Sequence, residues 1–303
     1  MSERPDQPVG DVGAAARHAE DVGLESVWVV DQLVAGAGVP VLESVVALAT
    51  AAAATSRVRL AFGVMIVPLR PVSWAAKQVA SLQQVSGDRV ILGVGVGGDR
   101  HDRSWAAAGV PRRERGRRLD AALRVLPDLI AGKDVRLGDD PDSPDDPDGP
   151  MVRLSPPATV PPIVVGGNSE AAIARAVEHG DGWYPLPGPP AALAEGAARL
   201  AELAAARGRR PPAITASVLV AAADDPAVPD HDELVHMLTD PAGRFGMPAE
   251  LVPQILVTGD TAEVAARLAD YAAAGAERLV ASFAAGDWRR QTDLLAEAAS
   301  RLS

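Results

Sequence analysis

The chain has 303 residues, with 29 Lys and Arg against 40 Asp and Glu, a formal net charge of −11. That acidic balance repels phosphate backbones and argues against nucleic acid as a partner. With no cysteine, disulfides, thiolate zinc sites and a cysteine nucleophile are excluded. No apolar run reaches the roughly 18 residues that span a bilayer, and the opening MSERPDQPVGD carries no signal stretch, so a soluble cytoplasmic protein without membrane partners is expected.

Apolar β-branched runs alternate with Ala-rich amphipathic stretches, the pattern of repeated βα units around a parallel sheet. The spacing of Ala14, Ala15, Ala19 and Val22 predicts a first helix over 12–22, stopped by Gly23. Ser26 to Val30 is a continuous apolar run, as a strand buried on both faces requires. The pattern then repeats: helix 41–54, strand 58–67, helix 72–85, strand 89–95 and a long helix 113–130. Beyond these come strand 162–165, helix 169–179, strand 182–184, helix 191–207, strand 214–221, helix 261–274, strand 278–283 and a closing helix 287–302. Seven strands in this order fit a single (β/α)8 barrel of the TIM type over 1–303, one strand short at its front. Before the first helix only Gln7-Pro8-Val9 offers a poor substitute. An open doubly wound sheet is the rival architecture.

Two stretches read as irregular insertions at the C-terminal mouth, 134–160 and 224–253. The first contains GDDPDSPDDPDGP, with six Asp and four Pro in 13 residues. Such a composition suits a solvated loop, and no calcium-loop spacing with a closing Glu is present. The second contains His231, His236, Arg244 and Met247.

Two Gly-rich turns follow strands. Gly93, Gly95 and Gly98 satisfy G-x-G-x-x-G, but the motif lies in a late unit and runs into Arg100-His101, which weakens a Rossmann reading. Gly166, Gly167, Asn168 and Ser169 link a strand to a helix, where free N–H groups and the helix dipole favour a phosphate. No nucleophile elbow, Walker A loop or zinc helix motif is present, and no metal site is expected. Asp31 ends an apolar strand, where a barrel places functional side chains. The Arg112–Arg118 cluster reads as an anion grip or as the solvated start of a helix.

The blocks AEDVGLESVWVVDQ, SRVRLAFGVMIVPLRP and AAKQVASLQQVSGDRVILGVGVGG, with PPIVVGGNSEAAIARAVEHGDGWYP and TGDTAEVAARLADYAAAGAERLV, resemble the bacterial luciferase-like monooxygenase family. The resemblance implies a barrel that binds coenzyme F420, or flavin mononucleotide (FMN), at its C-terminal mouth and exchanges hydride with a small organic substrate. It implies a non-prolyl cis peptide at Gly63–Val64 backing the tricyclic ring. It also implies that Gly95, Val96 and Gly97 follow the ribityl chain, that Gly166–Ser169 hold the phosphate and that Trp183 is a cofactor aromatic. Asp31 and Gln32 would line the ring, with His101, Asp99 or His236 as proton donor. Three departures stand out: Gln32 replaces a frequent His, Gly98 replaces the Glu of sugar-phosphate dehydrogenases, and the first strand has no counterpart. They leave open an alternative, a non-catalytic member serving as a structural or cofactor-binding subunit. A homodimer that covers the open seam is expected.

Overall fold

A computed structural model describes residues 10–34, 40–98, 102–138, 148–240 and 246–302. Helix α1 (Val12–Asp21) is capped by Asp11, whose carboxylate accepts from the Ala14 N–H. It leads into β1 (Ser26–Val29), α2 (Ser44–Ala54), β2 (Arg59–Phe62) and a two-residue β3 (Met65–Ile66). Next come α3 (Val72–Ser86), β4 (Val90–Gly95), a short α4 (Asp102–Ala108) and α5 (Arg115–Ile130). An antiparallel ribbon of β5 (Val135–Arg136) and β6 (Met151–Val152) precedes β7 (Ile163–Gly166), α6 (Glu170–His179), β8 (Gly182–Tyr184) and α7 (Pro190–Ala206). The chain ends with β9 (Ala213–Ala222), α8 (His231–Thr239), α9 (Val252–Ile255), β10 (Leu256–Gly259), α10 (Thr261–Ala273), β11 (Arg278–Phe283) and α11 (Trp288–Ser300).

Every pairing in the main sheet is parallel. Strands β1, β2, β4, β7, β8 and β9 lie side by side in that order; β9 also carries β11 and, at its end, β10. The seven expected barrel strands are therefore present, in barrel order, with helices packed on the outside. Alternation sorts the side chains. Leu60, Phe62, Leu92, Val94, Val165, Trp183, Ala216 and Val218 belong to the large core between strands and helices. Trp28, Ala61, Ile91, Val164 and Tyr184 form a separate small cluster in the barrel interior. Each fully buried Leu or Phe of the large core is worth about 1.5–3 kcal/mol, which is what fastens the helices to the sheet.

Among the described residues no strand pairs the free edges of β1 and β11, and β1 is only half-buried where β4 is buried throughout. Side chains draw the two ends together instead. Glu25, just before β1, takes the Arg278 guanidinium through two contacts of 2.7 Å. That hydrogen bonding holds the Glu25 carboxyl below its ordinary range. His18 on α1 meets Asp293 on α11 at 2.8 Å. The expected gap at the first strand is thus where the sheet ends meet; residues 7–9 lie outside the described set.

The two insertions lie at opposite ends of the barrel. Segment 134–160 joins α5 to β7, so it sits at the N-terminal end of the strands, not at the mouth. Its Thr159 hydroxyl reaches Asp88, which precedes β4; residues 139–147 lie outside the described set. Segment 224–253 follows the C-terminal end of β9, as expected for the mouth, but it is not wholly irregular. Asp230 caps α8 by accepting from the Glu233 N–H, and Leu234 and Leu238, four apart, bury against Leu219 and Ala221.

Candidate cofactor site at the barrel mouth

Between β2 and β3 the Gly63–Val64 peptide is cis. Gly63 stands on the Trp28 ring, where a Cβ would lie 3.1 Å from Trp28 Cε3. The Val64 side chain turns across the barrel into a socket of three glycines. A Cβ on Gly95 would lie 2.5 Å from Val64 Cγ2, and Cβ atoms on Gly166 and Gly93 would lie 2.9 and 3.1 Å from Val64 Cγ1. Gly93 is further required because its Cβ would fall 1.9 Å from the Phe62 carbonyl oxygen. Gly63 and Val64 remain half-buried, so the step presents a face to the mouth.

Asp31 is buried and bonded to the strand that follows this step. Its side chain is 5% exposed and accepts from the Ser44 hydroxyl at 2.9 Å, the Ile66 N–H at 2.8 Å and Arg70 at 2.5 Å. Those three donors belong to α2, β3 and the 3-10 turn Val67–Leu69 that leads into Arg70. The carboxylate is therefore a clamp on the segment carrying Val64. Gln32, next along, is half-buried, and its flanks Val30 and Leu33 are 52% and 56% exposed.

The Gly166–Ser169 turn is held from behind. The Gly167 N–H donates to Tyr184 O, the Trp183 indole donates to Gly167 O at 2.8 Å, and Asn168 Oδ1 accepts from the Leu186 N–H. Ser169 caps α6 by accepting from the Ala172 N–H. No protein acceptor among the described residues serves the N–H groups of Asn168, Ser169, Glu170 and Ala171, which leaves the helix start open to an anion. Glu170 would oppose one, but its carboxylate is drawn aside by Arg199 through contacts of 3.0–3.2 Å. Trp183 itself is 2% exposed on the helix side of β8, so it supports the turn and presents no ring to the lumen.

Its neighbour Tyr184 takes the inward place. The Tyr184 ring packs 5.2 Å from Trp28, and its hydroxyl lies 3.4 Å from Ser217 Oγ. Burial pushes this phenol above its ordinary range. Just beyond, β8 and β9 part after Trp183 and Ile214. There a cavity of about 250 Å³ opens, lined by Asn168, Trp183, Leu186, Arg199, Ser217 and Tyr271. Strand alternation after GDG was the signal that Tyr184, and not Trp183, faces inward. Of the expected proton donors, His101 and Asp99 lie outside the described residues, and His236 is exposed on α8. No group of three metal-ligating side chains occurs among the described residues, and no described helix is long and apolar enough to cross a membrane.

Residues 1–239 match the model of the luciferase-like monooxygenase family. The chain belongs to that family. It is 34% identical over 176 residues to uncharacterized proteins of Mycobacterium tuberculosis and Mycobacterium bovis, a match that spans 58% of this chain and 58% of theirs. In overall fold it is similar to an F420-dependent secondary alcohol dehydrogenase solved with an F420–acetone adduct, at TM-score 0.80 and 17% identity over 100% of this chain and 96% of that one. It is also similar to the oxygenating component of the 3,6-diketocamphane monooxygenase of Pseudomonas putida, solved with FMN, at TM-score 0.73 and 15% identity over 98% and 94%. At these identities the likeness shows the α/β barrel-type fold. In this luciferase-like chain the residues present fit a flavin-type group: a half-buried face at Gly63–Val64, a turn of small residues after β4, and four open N–H groups at the start of α6.

Proposed function

We propose that the protein is an oxidoreductase that holds coenzyme F420, or FMN, at the barrel mouth and acts on a small organic substrate. The observation that carries this reading is the placement of the Gly63–Val64 face and the open N–H groups of 168–171 on neighbouring strand ends, β2–β3 and β7, around β4. When bound, the cofactor supplies the hydride or oxygen chemistry. The protein's own residues then have distinct tasks. The N–H groups of Asn168, Ser169, Glu170 and Ala171 bind the phosphate, while the Val96–Gly97 turn after β4 lets its side chain approach the backbone. Val64 backs the ring and excludes water beneath it. Asp31 holds that segment in place through Ile66 and Arg70. Gln32 offers an amide to a substrate oxygen, and Val30 and Leu33 give the substrate an apolar rim.

Equilibrium titration of the purified chain with F420, FMN and NADPH, followed by fluorescence, tests the reading. Binding of F420 or FMN in the micromolar range is expected, with little affinity for NADPH. Failure to bind either F420 or FMN overturns it. A second reading, a cofactor-carrying subunit without turnover, is favoured by one observation: the Asp31 carboxylate is already committed to three protein donors. Tight binding with no oxidation of the reduced cofactor by any small carbonyl or alkene would support that reading.

A further inference from the structure

Among the described residues one buried side-chain polar atom lacks a hydrogen-bond partner, the indole nitrogen of Trp105. Buried donors left open are rare, and each costs about 1–3 kcal/mol. Trp105 sits on α4, 3% exposed, in a cluster with Ile66, Leu69, Ala108 and Val110. Loose packing does not account for it, because Ser104, the preceding residue, is wholly buried and accepts from the Val34 N–H at 3.0 Å.

The position of the ring says where the donor lies. A Cβ on Gly97 would stand 3.3 Å from Trp105 Cζ2 and 3.2 Å from Ile66 Cγ2. Cζ2 is bonded to the carbon that carries Nε1, so the N–H edge of the indole abuts the glycine turn that ends β4. Gly97, at φ +69°, adopts a conformation that a side chain would strain. The carbonyl oxygen of that turn is engaged already, since Gly97 O accepts from Arg115 at 3.2 Å. An unanswered donor therefore lies against the same turn along which a cofactor side chain would run.

We propose that Trp105 is a ligand-binding residue whose N–H donates to a hydroxyl or phosphate oxygen on the side chain of a bound flavin or deazaflavin. This inference rests on the cofactor reading above. Ile66 and Leu69 pack against the indole, so the acceptor for its N–H arrives with the ligand.

The test uses the full chain, labelled with 15N at its tryptophans, of which there are five. Trp105→Phe identifies the Trp105 indole signal; if that variant fails to fold, contacts to the Ile66 methyls identify it in the wild type. The free protein is expected to show this signal upfield of hydrogen-bonded indoles. Saturation with FMN, and separately with F420, is expected to move it downfield with at least one of the two. Trp105→Phe should weaken that cofactor by about tenfold, the cost of one hydrogen bond to a ligand. An unmoved indole signal in a chain that demonstrably binds cofactor overturns the assignment, as does full affinity in Trp105→Phe. If neither cofactor binds, the cofactor reading itself fails and takes this assignment with it.

Discussion

Val64 Cγ2 occupies space 2.5 Å from where a Cβ on Gly95 would be, so a strand residue of β4 has no side chain in order that a residue beyond β2 may have one. The surface at Gly63–Val64 is set by this exchange of bulk. Gly95→Ala is therefore expected to cost about 1–3 kcal/mol by overpacking, read from urea unfolding, and to weaken F420 or FMN binding by displacing Val64. Adding Val64→Ala to the same chain should recover most of the lost stability. Simple additivity of the two changes would show that they do not meet.

The Asp31 clamp makes a contrasting prediction. Were Asp31 a contact of the reacting groups alone, Asp31→Asn would leave unfolding unchanged. With Arg70 only 18% exposed in its side chain and Glu43 no nearer than 4.0 Å, removing the carboxylate charge leaves a poorly compensated cation. A loss near the lower end of about 3–5 kcal/mol is expected. Arg70→Met combined with Asp31→Asn should cost less than the sum of the single changes, because the second removes the charge that the first left unpaired.

The strands were legible because Val27–Val30, Leu60–Phe62 and Val90–Val94 are apolar runs bounded by turn residues, and buried parallel strands need little else. Helix α8 was not, since its fully buried positions, Leu234 and Leu238, are two residues within an acidic, Pro-flanked stretch whose partner surface is supplied by β9. The mouth was read by residue type, which does not tell what each residue packs against. Gly93 and Gly95 look like a phosphate motif in sequence, yet Phe62 O and Val64 account for both. Asp31 looks reactive at a strand end, but its partners Ser44, Ile66 and Arg70 are 13, 35 and 39 residues away, and nothing local announces them. The cis peptide at Gly63–Val64 was expected from family resemblance, not from any property of a Gly-Val pair.

Tyr184 allows a pH prediction of unusual cleanness, because the chain has two tyrosines. Burial pushes both Tyr184 and Tyr271 above the ordinary value of 10.0, while the hydrogen bond with Ser217 pulls Tyr184 partly back. A phenol whose folded pKa exceeds its unfolded one contributes stability that is intact below pH 10.0 and is lost as pH rises through the folded value. In Tyr271→Phe, tyrosinate absorbance then reports Tyr184 alone. Its midpoint is expected above 10.0, and Ser217→Ala should move it higher still by removing the partner that favours the anion. Through the physiological range the hydroxyl thus keeps its proton, and it faces the interior beside Trp28, on which Gly63 stands. A midpoint at the ordinary value would instead place the hydroxyl in open water and remove it from consideration as a neutral donor to a bound substrate.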